Sequence, residues 1–175
     1  MSVIGKREIL RLIEKKEIII EPFQKDWLKG NLLDLHVGDE YRKQLKTELR
    51  WDPSSFSFDQ VTEVEAIPVK DKFSVPPGEF VIVETMEMIT LPDSVMAQIV
   101  GRISLSALGV LTQGGILHAG SKGKRMIIIS NYGNINIVLQ KGDIIAQLIF
   151  LEVKGGEKID YPVIEDLKGR EFRIR

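Results

Sequence analysis

The chain has 175 residues, of which 43% are hydrophobic and 28% charged, and a formal net charge of −1 at neutral pH. This is the profile of one soluble globular domain, large enough to bury a core without covalent help and without a basic excess that would draw nucleic acid or an anionic membrane. There is no cysteine and there are two histidines, His36 and His118, which excludes disulfides, thiolate zinc sites and a cysteine nucleophile and disfavours a histidine-built metal centre.

Read in chain order, Lys6–Lys16 places Ile9, Leu10 and Ile13 on one face and Lys, Arg and Glu on the other, the pattern of a short amphipathic helix. Its charged opening, Lys6-Arg7-Glu8, is followed by no apolar signal region, and no later run approaches the ~20 apolar residues that cross a bilayer, so a cytoplasmic location is expected. Ile18–Ile20 is β-branched and bounded by Pro22, which predicts a strand. Asn31–Gly38 alternates loosely and stops at a glycine, which predicts another. Asp39–Asp71 is irregular and polar, with Trp51, Phe56 and Phe58 isolated within it, and reads as short strands around a long loop.

From Asp71 onward the pattern is β. Strands are expected at Phe80–Glu84, Val95–Val100, Met126–Asn131, Ile135–Leu139 and Ile144–Val153. The punctuation is Pro76-Pro77-Gly78, Leu91-Pro92-Asp93, Tyr132-Gly133-Asn134 and Gln140-Lys141-Gly142-Asp143. Short β-branched runs with turns every ~8–12 residues argue for a sandwich or barrel, and the glycine and proline punctuation excludes a helical bundle. The division expected is a β domain over 1–153 and a charged, weakly patterned arm over 154–175.

Three strings, in this order, resemble the dCTP deaminase/dUTPase family. They are DLHVG at 34–38, PPGEFVIVETMEMITLPDSVMAQIVGR at 76–102 and LQKGDIIAQLIF at 139–150. The resemblance implies a mainly β chain, a distorted jelly-roll or β-clip with a short N-terminal helix. It also implies a homotrimer with a nucleotide site at each subunit interface. The activity implied is deamination of dCTP to dUTP, hydrolysis of dUTP to dUMP, or both, with Mg²⁺ carried on the nucleotide phosphates and no zinc.

Carried over residue by residue, the family's phosphate loop Gly-Arg-Ser-Ser-Leu-Ala-Arg becomes Gly101-Arg102-Ile103-Ser104-Leu105-Ser106-Ala107. Arg102 and Ser104 remain as phosphate-binding candidates, while a hydroxyl and a guanidinium are replaced at Ile103 and Ala107. The carboxylate of the string Ile-Asp-Pro-Gly-Phe-x-Gly becomes His118. The deaminating glutamate, anchored on Asn131 and Gly133, becomes Ile128. Gln147 belongs to the strand of the third string, and DLKGREFRIR at 166–175 loosely echoes the arm that closes over phosphates, which makes Lys168 and Arg170 candidates there.

Each candidate also has a plainer reading. His118, whose reference pKa of about 6.5 suits a base near neutrality, is the catalytic candidate, but a lone loop histidine is more often a hydrogen-bonded or solvated side chain. Arg102 grips phosphate or pairs with a carboxylate such as Glu87. Gly114 and Gly115 let backbone approach a nucleotide or simply make a tight turn. Gln147 satisfies backbone groups in an apolar strand, and Lys122, Lys124 and Arg125 form a basic patch that attracts anions or is simply a solvated strand entry. Two further functions therefore stand beside the enzyme: a catalytically inactive trimeric nucleotide-binding or regulatory relative, and a trimeric interaction module without a ligand.

Overall fold

In the computed structural model, which describes residues 2–44 and 64–155, the chain opens with α1 (Lys6–Glu14). Its inward stripe is Ile9 and Leu12, both buried, with Leu10 and Ile13 packed along the margin. The helix stops at Glu14 rather than Lys16 because Lys16 takes a left-handed φ of 58°. Glu17 and Ile18 then both donate their N–H groups to the Leu12 carbonyl. This reversal, usually made by glycine, sends Ile18 and Ile20 into the core.

The strands that follow are β1 (Ile19–Glu21), β2 (Leu28–Lys29), β3 (Leu32–Gln44), β4 (Val64–Pro68), β5 (Lys72–Val75), β6 (Phe80–Thr85) and β7 (Met88–Thr90). After them come β8 (Val95–Gly101), a one-turn helix α2 (Ile103–Ser106), β9 (Val110–Gln113), β10 (Ile116–Leu117) and β11 (Lys122–Gly123). The last are β12 (Met126–Asn131), β13 (Ile137–Gln140) and β14 (Ile144–Glu152). The main sheet runs β10-β8-β14-β3-β6-β12-β9, with β2 and β4 also paired to β3, and smaller sheets are β1-β7-β11 and β13-β5.

β9 and β10 lie at opposite ends of the main sheet, yet only Gly114 and Gly115 separate them in the chain. Two residues span a few ångströms, so the sheet must curl until its edges meet. The Ile99 N–H of β8 closes the seam on the Gly115 carbonyl at 3.0 Å. The result is the mainly β, distorted jelly-roll that the sequence predicts. Alternate residues of β6 and β12 (Val81, Val83, Ile127 and Ile129) point into the curl, and Leu33, Leu35, Leu148 and Phe150 fill it from β3 and β14.

β3 departs most from expectation. It does not stop at Gly38 but runs through it to Gln44, pairing beyond it with β4 and β6. A Cβ at Gly38 would lie 2.7 Å from the Glu84 carbonyl oxygen and 2.8 Å from Thr85 backbone atoms. The glycine therefore marks a close crossing of two strands, not a turn, and the register slips between Val37 and Tyr41. The irregular segment is thus bounded by strand on both sides. Trp51, Phe56 and Phe58 fall outside the described residues, as does the arm beyond Gly155.

Two buried polar groups tie the layers together. Glu87, fully buried, accepts from the His36 backbone N–H at 3.1 Å and lies 2.5 Å from His36 Nδ1. The His36 ring packs on Trp27 with centroids 4.3 Å apart. Asn131, also buried, donates through Nδ2 to the carbonyls of Val75 (2.7 Å) and Ile135 (2.8 Å) and accepts from the Gly133 N–H (3.0 Å). One amide thereby fixes the Tyr132–Gly133–Asn134 turn against β5. The following strand starts at Ile137 rather than Ile135 because that turn consumes Ile135.

Candidate functional site

Three neighbouring strands of the main sheet, β8, β14 and β3, bring the site together at one end. β14 carries a bulge between Ile144 and Ala146. Such an extra residue re-aims the side chains that follow it, and here it leaves Gln147 directly opposite Asp34 on β3 and Val100 on β8. Arg102, two residues beyond Val100, falls on the same face. Gln147 Nε2 donates to Asp34 Oδ1 at 2.8 Å, and Lys29 Nζ donates to Asp34 Oδ2 at 2.9 Å. Arg102 Nη1 donates to the Ile144 carbonyl at 3.2 Å, on the bulge itself.

Asp34 is almost fully buried, and burial opposes its ionisation. The hydrogen bonds from Lys29 and Gln147, then the charges of Lys29 and Arg102, outweigh that and hold its carboxyl below the usual range. Both carboxylate oxygens are therefore engaged by protein donors. No group of three or more His, Cys, Asp or Glu side chains gathers among the described residues.

The loop after Arg102 turns at once into α2. Leu105 and Ser106 N–H groups close on the Arg102 carbonyl, and Ser106 Oγ donates to it at 3.2 Å. Ser104 and Ala107 are exposed on this turn, and Ile103 is 85% exposed. The turn is built as a presented loop, and one hydroxyl, that of Ser104, stands free of the Ser106 bond. Gly114 packs so closely on β8 that a Cβ there would meet Ile99 Cδ1 at 2.5 Å, while Gly115 has φ +70°. Both glycines are required by the turn that closes the sheet.

His118 lies elsewhere in the chain. β10 pairs Leu117 with Ala97 of β8, which sets His118 level with Met96. Arg102 is six residues farther along that strand, roughly 20 Å at 3.3 Å per residue. His118 is exposed in a turn held by Ser121 N–H to its carbonyl and Gly120 N–H to the Pro92 carbonyl. Ile128 sits mid-β12 between Ile82 of β6 and Gln113 of β9. It faces outward beside Phe80 and Leu111, each of the three more than a third exposed.

Several sequence expectations are corrected by these contacts. Gln147 bonds a carboxylate rather than backbone. Glu87 is engaged by His36, so it is not the partner of Arg102. Lys124 and Arg125 are not a solvated entry. Lys124 bonds Glu84 at 2.7 Å, and Arg125 reaches Ser121 Oγ at 3.2 Å from a site where burial lowers its pKa. Asp34 and Lys29 were missed as site residues, since only the pairing of four strands, β2, β3, β14 and β8, shows that Lys29, Gln147 and Arg102 gather around Asp34. Lys168 and Arg170 lie outside the described residues.

The family model described as dCTP deaminase-like matches residues 3–153. The chain is 32% identical over 176 residues to a dCTP deaminase, dUMP-forming, of Nanoarchaeum equitans, covering 91% of this chain and 88% of that protein. It is 31% identical over 150 residues to a dCTP deaminase of Sulfurisphaera tokodaii, covering 85% and 78%. Among solved structures it resembles the 2′-deoxycytidine 5′-triphosphate deaminase of Agrobacterium tumefaciens with a TM-score of 0.67 at 19% identity, a likeness of fold. That match covers 85% of this chain and spans about half (47%) of the Agrobacterium chain.

Proposed function

The chain belongs to the dCTP deaminase-like family, and we propose that it binds dCTP or dUTP by the triphosphate in pyrimidine deoxynucleotide metabolism. The observation that carries this reading is the Asp34–Gln147–Arg102 cluster, three polar side chains gathered on one face of β3, β14 and β8 beside the presented Ser104. Arg102 supplies the charge, Gln147 is fixed by Asp34, and Mg²⁺ held on the phosphate oxygens would neutralise the charge that remains.

Of the family's two reactions, hydrolysis of dUTP to dUMP is the one that loses less: Arg102 and Ser104 remain, and His118 stands where the family has a carboxylate. Attack on phosphorus requires an oriented water and neutralised charge. His118 is the base assigned to that water; roughly 20 Å from Arg102 along one chain, it would be supplied by a neighbouring subunit of a homotrimer. The outward apolar face of Phe80, Leu111 and Ile128 supports such an assembly. Deamination of cytosine needs a proton-transfer group at position 128, and Ile128 transfers none. A positioned acid or base contributes ~10²–10⁴-fold.

A second reading is favoured by Ile103, Ala107 and Ile128 together: a non-catalytic relative that binds the nucleotide and does no chemistry. One assay separates them. The protein is incubated with dCTP and with dUTP plus Mg²⁺, and products are followed by chromatography. The first reading expects dUMP from dUTP, no deaminated product from dCTP, and loss of turnover in His118→Ala. Absence of any product, with nucleotide-dependent stabilisation in a thermal melt, establishes the second. Deamination of dCTP at family rates would contradict both.

A further inference from the structure

Lys29 ends β2 at a two-residue hairpin, Gly30–Asn31, and its backbone is paired with Leu32 of β3. The ammonium group is therefore delivered from a fixed strand rather than from a loop. It reaches Asp34 Oδ2 at 2.9 Å, with the lysine side chain 63% exposed and the aspartate 1%. An ammonium carries three N–H donors. One is spent on Asp34, and the exposure leaves the others directed towards solvent at the mouth of the cluster.

The charges near this point can be counted. Asp34 contributes one negative charge, and Lys29 and Arg102 each one positive charge that acts on it, leaving a net +1. The presented turn α2 adds no cation, being Ile103-Ser104-Leu105-Ser106 followed by Ala107. Arg102 has already committed Nη1 to the Ile144 carbonyl. Arg102 and Lys29 approach Asp34 from opposite sides, Arg102 from β8 and Lys29 from β2, so a triphosphate held here would span from one cation to the other.

We propose that Lys29 is a phosphate-binding residue, the second cation that holds the triphosphate against Arg102, with Asp34 acting as the anchor that aims it. This rests on the nucleotide reading given above. The competing role is simpler: Lys29 does nothing but neutralise a buried carboxylate. Both roles require the Lys29–Asp34 contact, and they differ in what a phosphate-bearing ligand feels.

The test uses three forms of the full chain: wild type, Lys29→Gln and Lys29→Arg. Glutamine can still donate a hydrogen bond to Asp34 but brings no charge, and arginine restores the charge. Affinities for dUTP and for deoxyuridine, which has no phosphate, are measured by calorimetry at two salt concentrations. The expected result is about tenfold or greater weakening of dUTP in Lys29→Gln, a shallower salt dependence, unchanged deoxyuridine affinity and near-complete recovery in Lys29→Arg. Equal dUTP affinity in wild type and Lys29→Gln overturns the role of Lys29 alone. No dUTP binding by wild type overturns it together with the nucleotide reading. Equal weakening of dUTP and deoxyuridine assigns Lys29 a structural role and overturns it too.

Discussion

At the scale of single residues, the site is defined by what Asp34 touches. Because its folded-state pKa is depressed, the stability it contributes is present above the ordinary carboxylate value, about 3.9. That stability is lost as pH falls through the folded value. Melting temperature should therefore drop as pH is lowered from about 5 to below 4. In Asp34→Asn, which has no group to titrate there, the acid limb should be flatter. A limb as steep in the variant as in wild type would remove Asp34 from the account. Asn131 allows a cleaner energetic test. Asn131→Ala strands the carbonyls of Val75 and Ile135 and the Gly133 N–H, and should cost about 2–4 kcal/mol in denaturant unfolding.

Residue identity alone could not reveal this cluster. Arg102 and Ser104 are legible because they stand in a string, Gly101 to Ala107, whose order carries information. Asp34 stands in an equally visible string, DLHVG. What makes it matter is its position opposite Gln147, 113 residues away, set by a bulge that no periodicity announces. Lys29 is less legible still, since an isolated lysine beside a glycine reads as a surface turn.

At the scale of elements, β-branched runs bounded by glycine and proline turns made β6, β8, β12 and β14 readable to within one residue at each end. β3 was cut short because a glycine in a strand has two physical causes, a turn and a close approach, and composition does not distinguish them. The structure places Gly38 in the second class. Gly38→Ala should destabilise by about 2 kcal/mol or more, since backbone rather than a flexible side chain blocks the new Cβ. The end of α1 predicts the opposite sign. Lys16 is a non-glycine residue at a left-handed φ, so Lys16→Gly should raise stability by about 1 kcal/mol. Equilibrium unfolding in urea checks both.

At the scale of the whole molecule, the curled sheet separates its polar mouth from its apolar flank. Arg102 lies beyond one end of β8, His118 lies level with the other end, and Ile128 marks an outward apolar patch. A homotrimer would cover that patch and supply His118 from a second subunit. Light scattering should return a mass of three chains, and Ile128→Lys should shift it towards one chain with unchanged far-ultraviolet circular dichroism. A wild-type mass of one chain would leave His118 without a route to the phosphates.

The Asp34–Gln147–Arg102 cluster is proposed to hold the triphosphate of a pyrimidine deoxynucleotide. Calorimetric titration of wild type and Arg102→Ala with dUTP and dUMP tests it most directly. The account predicts that wild type binds dUTP at least about tenfold more tightly than dUMP, and that Arg102→Ala erases the difference by weakening dUTP alone, since each lost charged contact is worth about a factor of ten or more. Equal affinities for dUTP and dUMP in wild type, or an undiminished preference in Arg102→Ala, would contradict it.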